Sequence, residues 1–287
     1  MHLRTLRRPA RTATVALASA AATAALTLPA LALAHGGHGG GGAVAAPPVS
    51  PTSDSQIQNI DQVKTAIKGY YGDTVTSTPD PATGTTTLHQ FSPTGAYAQQ
   101  TEGIAAKAER YLARTAHHAG HGHGHTGTPA ILFDIDDTTL NTYSYEIYSS
   151  FVYNPTTNAA FVNAGSASVF PAVPGMTDLE AKAVAEGYTV FFLTGRPASQ
   201  LAGTEANLTD AGYTFDPADI YLKDQTKPWL STCAPTCTTT QYKSLTRRYI
   251  ESQGYDIVAN FGDQFSDLNG GFADKTVKMP NPMYYLP

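Results

Sequence analysis

Cysteine is nearly absent: of 287 residues only Cys233 and Cys237 carry a thiol, in Cys-Ala-Pro-Thr-Cys. Two such residues fall short of the four ligands of a structural zinc site. In an exported chain a closely spaced even pair is expected to be a disulfide, and so short a loop acts as a local staple. A redox role for the pair is the alternative. Basic residues are also few. Four of the 18 lie at Arg4, Arg7, Arg8 and Arg11, and residues 1–34 hold no acidic residue. Residues 35–287 therefore carry 14 basic against 23 acidic residues, a formal charge of −9. An acidic chain with few positive runs argues against nucleic acid as a partner, and any bound phosphate must be met by local positive groups and a metal.

Large apolar residues are sparse in the uncharged run from Thr12 to Ala34, which Pro29 also breaks. That disfavours a membrane anchor. The basic start and the small-x-small end, Ala32-Leu33-Ala34, predict a secretory signal peptide over residues 1–34 and a secreted product with no membrane partner after cleavage. Arg7-Arg8 leaves the twin-arginine route open beside the general one. The oligomeric state, monomer or homo-oligomer, is not legible.

Residues 35–53, rich in Gly, His, Ala and Pro, read as a flexible linker. Residues 54–128 read as a helical extension. Ile57, Ile60, Val63 and Ile67 follow helical spacing, and a second stripe runs over 96–116 through Ile104, Ala108, Tyr111 and Leu112. Between them, Thr74 to Pro93 predicts a loop or hairpin. His117, His118, His121, His123 and His125 crowd a Gly-rich stretch. It serves either as a solvated connector or as a loose transition-metal binder, and Gly spacing fixes no ligand geometry.

Residues 129–287 have a regular rhythm. Apolar runs at Ala130–Phe133, Val190–Leu193, Ile220–Leu222 and Ile257–Phe261 alternate with helical stretches over 177–186, 198–211 and 240–253. The helices end in Gly187-Tyr188, Gly212-Tyr213 and Gly254-Tyr255, where glycine supplies a left-handed cap. Such alternation predicts an α/β fold, a parallel sheet sandwiched by helices, with ligands outside the carboxyl ends of the strands.

Polar clusters follow three of those strands. Phe133-Asp134-Ile135-Asp136-Asp137-Thr138 puts three carboxylates in four positions, a repulsion that a bound divalent cation relieves. Hard oxygen ligands suit Mg²⁺. Asp134 and Asp136 are spaced so that one attacks a substrate while the other handles protons. An acidic turn or helix N-cap would show the same residues. Leu193-Thr194-Gly195-Arg196 offers a hydroxyl and backbone N–H groups for phosphate oxygens. Lys243, in Gln241-Tyr242-Lys243-Ser244, offers an ammonium, although a lone lysine is more often a solvated surface residue. Phe261-Gly262-Asp263-Gln264-Phe265-Ser266-Asp267 brings Asp263, and Asp267 four residues on, as further ligand or orienting group.

In this order, Asp134-x-Asp136-Asp137-Thr138, Thr194-Gly195-Arg196, Lys243 and Gly262-Asp263-x-x-x-Asp267 resemble the four motifs of the haloacid dehalogenase (HAD) superfamily. With Pro280-Asn281-Pro282-Met283-Tyr284-Tyr285 they are similar to its acid phosphatase branch (subfamily IIIB), which includes plant acid phosphatases, vegetative storage proteins and bacterial class B phosphatases. The resemblance covers roughly Ile131 to Pro287. It implies a HAD-like fold and an Mg²⁺-dependent hydrolase of small phosphate monoesters. Asp134 would be nucleophile and metal ligand. Asp136 would be general acid/base and offer its carbonyl to the metal. Thr194, Gly195 and Lys243 would bind phosphate, and Asp263 and Asp267 would complete the metal site. Asp137 and Thr138 would stabilise the loop. A weakly active storage or phosphate-binding protein of the same fold, a dehalogenase and a phosphotransferase are the rivals. Residues 141–174 lie where the superfamily inserts a cap. The segment is short, which leaves an open site, and Tyr143, Tyr145 and Phe151 either line its mouth or pack against the sheet.

Overall fold

The computed structural model describes residues 52–53, 59–119 and 127–286; the expected signal peptide, nearly all of the linker, and His121, His123 and His125 lie outside them. Elements run in the order α1 (Ile60–Tyr71), β1 (Thr74–Pro79), β2 (Thr87–Gln90), α2 (Ala96–Ala119), β3 (Thr128–Phe133), α3 (Tyr143–Tyr148) and α4 (Pro155–Asn163). They continue with α5 (Met176–Ala185), β4 (Thr189–Pro197), α6 (Leu201–Asp210), β5 (Ile220–Lys223), α7 (Thr239–Ser252), β6 (Tyr255–Gly262), α8 (Phe265–Leu268) and β7 (Lys275–Lys278).

Five strands form one parallel sheet in the order β5-β4-β3-β6-β7. β3 is central because its apolar run is buried on both faces: Ala130, Ile131, Leu132 and Phe133 are all at most 1% exposed. Its register sets Phe133 opposite Phe192 of β4 and opposite Phe261 of β6. The residues that follow these three phenylalanines therefore emerge at one level of the same sheet edge. The edge strand β7, Lys-Thr-Val-Lys, went unread because it is short and polar, as edge strands that resist further pairing are.

Each of Gly187, Gly212 and Gly254 has φ between +90° and +95° where the sequence called for a left-handed cap. After the first two, Tyr188 and Tyr213 send their N–H back to Ala183 and Leu208, which closes the helix and aims the chain into the next strand. Thr238 and Gln241 form a reciprocal capping box at the start of α7.

The segment 74–93 is an antiparallel hairpin of β1 and β2. Its apolar residues do not stand apart from the sheet. Ile67, Tyr71, Leu88, Tyr97, Ala105 and Leu112 join Ile131, Phe133 and Phe192 in one continuous core. Helical spacing overstated α1: Ile67 is buried, while Ile60 and Val63 are 69% and 41% exposed, since the first turns of the helix project beyond that core.

The cap segment holds α3 and α4. Tyr143 and Tyr145 are buried, the former stacked on Tyr71 at 4.4 Å, so both pack inside. Cys233 and Cys237 form the disulfide ahead of α7. No helix among the described residues is long and apolar enough to cross a membrane.

Candidate active site

Asp134 leaves the end of β3 and donates its N–H to Phe261 O at 3.0 Å, which ties it to β6. The chain then turns through Asp137, which adopts φ +55°, a costly conformation for a non-glycine residue. Asp137 holds it because its carboxylate accepts from Thr142 N–H and Oγ1 and from Tyr284 Oη at 2.9 Å. Asp137 is thus a brace of the loop. Thr139 sends its hydroxyl to the Asp134 and Ile135 carbonyls, whereas Thr138 Oγ1 is buried without a partner.

On β6, Gly262 is glycine for a steric reason. A Cβ there would stand 2.4 Å from Asp267 Cβ. The absent side chain lets α8 fold back so that Asp267 caps the Gln264 N–H at 2.9 Å and faces the strand end. Asp263 is oriented by Gln264 Nε2 and Asn281 Nδ2, each donating to Oδ2 at 2.6 Å. Asp134, Asp263 and Asp267 each bring an oxygen into one group within 4.8 Å, all buried.

Lys243, on the buried face of α7, reaches this group. Its ammonium contacts Asp134 Oδ1, bonds Asp267 Oδ1 at 2.8 Å and donates to Leu193 O at 2.8 Å. Four residues along the same face, Arg247 donates to the carbonyls of Asp267, Asn269 and Gly271 and fixes the loop that carries Asp267.

Thr194 is buried at the end of β4, and its Oγ1 accepts from Arg196 N–H at 3.1 Å. Gly195 is exposed. Asp136 turns away from the three-carboxylate group. Its oxygens accept from Arg196 Nε at 3.1 and 3.0 Å and from Nη2 at 2.6 Å, and Thr194 Oγ1 stands 3.5 Å away. Arg196 spends its last arm on Thr204 at 3.0 Å. Among the described residues, the side chains that share a possible metal position are therefore Asp134, Asp263 and Asp267, without the Asp136 carboxylate.

The electrostatics are those of a site short of positive charge. Burial, then the charges of Asp267 and Asp263, push Asp134 well above the usual carboxylate range against the pull of Lys243. Burial, with Asp267 and Asp137, raises Asp263 to about 8 although Asn281 and Gln264 favour its charge. Burial works against the Lys243 charge, but Asp134 and Asp267 outweigh it and hold its pKa above the ordinary lysine value. Lys243 pairs with Asp134 and Asp267, and Asp263 has no ion pair among the described residues. That deficit fits a divalent cation held by oxygen ligands, and the donor set suits Mg²⁺.

The sequence pattern gave no role to Arg196, Arg247 or Asn281. Arg196 and Asn281 stand inside the Thr-Gly-Arg and Pro-Asn-Pro motifs, and Arg247 lies one turn from Lys243, a signal that was available.

A parallel sheet with buried aspartates gathered beyond its strand ends defines the class, and comparison with known proteins narrows it. The chain belongs to the HAD superfamily, subfamily IIIB (acid phosphatase), whose sequence profile matches residues 81–287. That match starts in the hairpin turn, well before Ile131, and includes α2. Among relatives, the chain is 38% identical over 161 residues to the stem 28 kDa glycoprotein of Glycine max, covering 54% of this chain and 59% of that protein. It is 34% identical over 170 residues to acid phosphatase 1 of Solanum lycopersicum, covering 57% and 61%. It is 29% identical over 159 residues to vegetative storage protein 2 of Arabidopsis thaliana, covering 54% and 56%. The matched region thus spans less than two thirds of each relative. The class C acid phosphatase from Bacillus anthracis, solved with tungstate bound, shares the fold with a TM-score of 0.51 at 22% identity, over 65% of this chain and 80% of that one.

Proposed function

We propose that this protein is a secreted acid phosphatase that hydrolyses phosphate monoesters with Mg²⁺ through an aspartyl-phosphate on Asp134. The observation that carries the reading is the buried group of Asp134, Asp263 and Asp267 with a single ammonium, Lys243, in contact with two of them. Export rests on the signal-like residues 1–34.

Mg²⁺ held by Asp134, Asp263 and Asp267 would offset the charge that otherwise keeps a phosphate dianion from a carboxylate. The remaining work falls to this chain's own groups. Asp134 attacks phosphorus and forms a P–O bond as the ester P–O bond breaks in line with it. Asp136, at the open side of the site with its side chain 30% exposed, passes a proton to the departing alkoxide. Thr194 and Lys243 hold the phosphoryl oxygens against the developing charge. Water then attacks phosphorus, Asp136 takes one of its protons, and the acyl-phosphate P–O bond breaks to release phosphate and restore Asp134.

Similarity to vegetative storage proteins supports a second reading, a protein of this fold that turns over poorly. The sequence carries both Asp134 and Asp136, which favours catalysis. Hydrolysis of p-nitrophenyl phosphate separates the two. Turnover is expected to require Mg²⁺, to stop with a chelator, and to fall at least about 10³-fold in Asp134→Asn. Activity retained in the Asn variant, or indifferent to chelation, would sink the mechanism.

A further inference from the structure

No helix or strand follows β7 among the described residues, yet the carboxy-terminal tail is wired across the candidate site. Met279 donates its N–H to Gly262 O at 2.9 Å, so the chain leaves β7 alongside the end of β6. Met279 and Met283 are buried and anchor the tail in the core. Tyr284 donates to Asp137 Oδ2 at 2.9 Å, and Ser266 of α8 sends its hydroxyl to Leu286 O at 3.3 Å. Pro280 and Pro282 flank Asn281; each fixes its own φ, and the second favours an extended Asn281.

Two side-chain amides join this tail to Asp263. Asn281 Oδ1 accepts from Met283 N–H at 2.8 Å, which turns its amino group to Asp263 Oδ2 at 2.6 Å. Gln264 Oε1 accepts from Leu286 N–H at 3.1 Å, which turns its amino group to the same Asp263 oxygen at 2.6 Å. Flipping either amide would set its oxygen against a carboxylate oxygen and its amino group against a backbone N–H. Two backbone donors of the tail therefore fix both amides, and both amides converge on one oxygen. A carboxylate oxygen has about two lone-pair sites, so two donors fill Oδ2.

Resting on the phosphatase reading, in which Asp263 is a metal ligand, we infer that Asn281 is a positioning residue that, with Gln264, reserves Asp263 Oδ1 for the cation and confines this carboxylate to ligation through one oxygen. Mg²⁺ demands near-octahedral geometry and suits that arrangement, whereas Ca²⁺ also accepts a carboxylate through both oxygens. With Asn281 lost, Oδ2 is free to turn to the cation, which serves Ca²⁺ and not Mg²⁺. The tail thereby sets both how tightly the site holds Mg²⁺ and which divalent ion it prefers.

Calorimetric titration of the metal-free full chain with Mg²⁺ and, separately, with Ca²⁺ tests this, with the metal-free melting temperature of each variant recorded beside it. Asn281→Ala is expected to raise the Kd for Mg²⁺ by about 10- to 100-fold, the usual scale for losing a partner of a metal ligand. The Kd for Ca²⁺ is expected to rise far less, so that the preference shifts toward Ca²⁺ by about tenfold. Asn281→Asp keeps the size but replaces the donor with an acceptor, and is expected to lose at least as much Mg²⁺ affinity. Gln264→Ala removes the other donor on Oδ2 and is expected to shift the ratio in the same direction; it carries the test if the Asn281 variants do not fold. A structural role alone would lower the metal-free melting temperature, or weaken both cations alike, and leave the ratio standing. Asn281→Asp binding Mg²⁺ as the wild type does, or an unshifted ratio in Asn281→Ala and Gln264→Ala, would overturn the inference; Mg²⁺-dependent turnover of p-nitrophenyl phosphate would then leave the phosphatase reading intact. A shifted ratio in a chain whose wild type hydrolyses no ester would overturn the phosphatase reading and leave the role of Asn281.

Discussion

Asp80, in the hairpin turn, and the trio Asp134, Asp263 and Asp267 are all buried acids, yet their surroundings differ in kind. Asp80 accepts the N–H groups of Thr83, Thr85 and Thr86 at 2.6, 3.1 and 2.9 Å, and the Thr83 hydroxyl at 2.8 Å. Burial opposes its charge, but these donors hold its pKa down to about 2. Everything it needs lies within six residues of it. The trio is drawn from two strand ends and a helix, and the ammonium that pairs with two of its members arrives from a fourth element. Burial there wins, and Asp263 is raised to about 8. A buried charge supplied with donors shapes a turn. A set left short of positive charge is a place where an ion and a charged substrate finish the structure.

The comparison breaks most clearly at Lys243. Lys243→Met removes the ammonium paired with Asp134 and Asp267 and leaves both carboxylates buried without it. Without metal, near neutral pH, urea unfolding is expected to show a loss of about 3–5 kcal/mol. A loss below about 1 kcal/mol would mean that the trio is not underpaired. Next in size is the response to pH and metal. Because burial raises Asp263 from the ordinary 3.8 to about 8, the folded chain is expected to retain a proton across that interval that the unfolded chain releases. The contribution of Asp263 to the stability of the metal-free protein should therefore be fully present below about pH 4 and be lost as pH rises toward 8. Burial raises Asp137 to about 7, despite hydrogen bonds from Thr142 and Tyr284, and adds to the same trend. At a hundredfold excess over its Kd, Mg²⁺ should restore about 2.7 kcal/mol. Melting temperatures across pH, with chelator and with Mg²⁺, test both signs, and a metal-free protein that gains stability on the alkaline side would contradict this account. The smallest effect belongs to Asp80. Asp80→Ala should cost about 1–2 kcal/mol, leaving turnover and Mg²⁺ response unchanged. A change in metal response would tie the hairpin to the site after all.

How far the chain could be read follows the range of the interactions. The apolar run before Asp134 and the glycine-tyrosine pairs after three helices are local patterns, and they placed the parallel sheet and its strand ends. Asp134, Thr194 and Asp263 were legible as site candidates because each directly follows a buried run. β7 was not, since four mostly polar residues carry no periodic signal. Nor was the packing of α1, the hairpin and α2 into the sheet's own core, because Tyr71 and Tyr97 carry no local sign of what they face. The Asp136–Arg196 pair was hidden for a different reason: both residues stood in the motifs, but a motif does not say which way a carboxylate turns.

The amino-acid sequence alone determined the strand-helix alternation and which acids stand at strand ends, since backbone preference and burial periodicity act over a few residues. Tertiary structure decided that Lys243 meets Asp134 across 109 positions and that Asp136 faces a guanidinium. Those outcomes depend on strand register and on the empty volume at Gly262, quantities that exist only once the chain has packed.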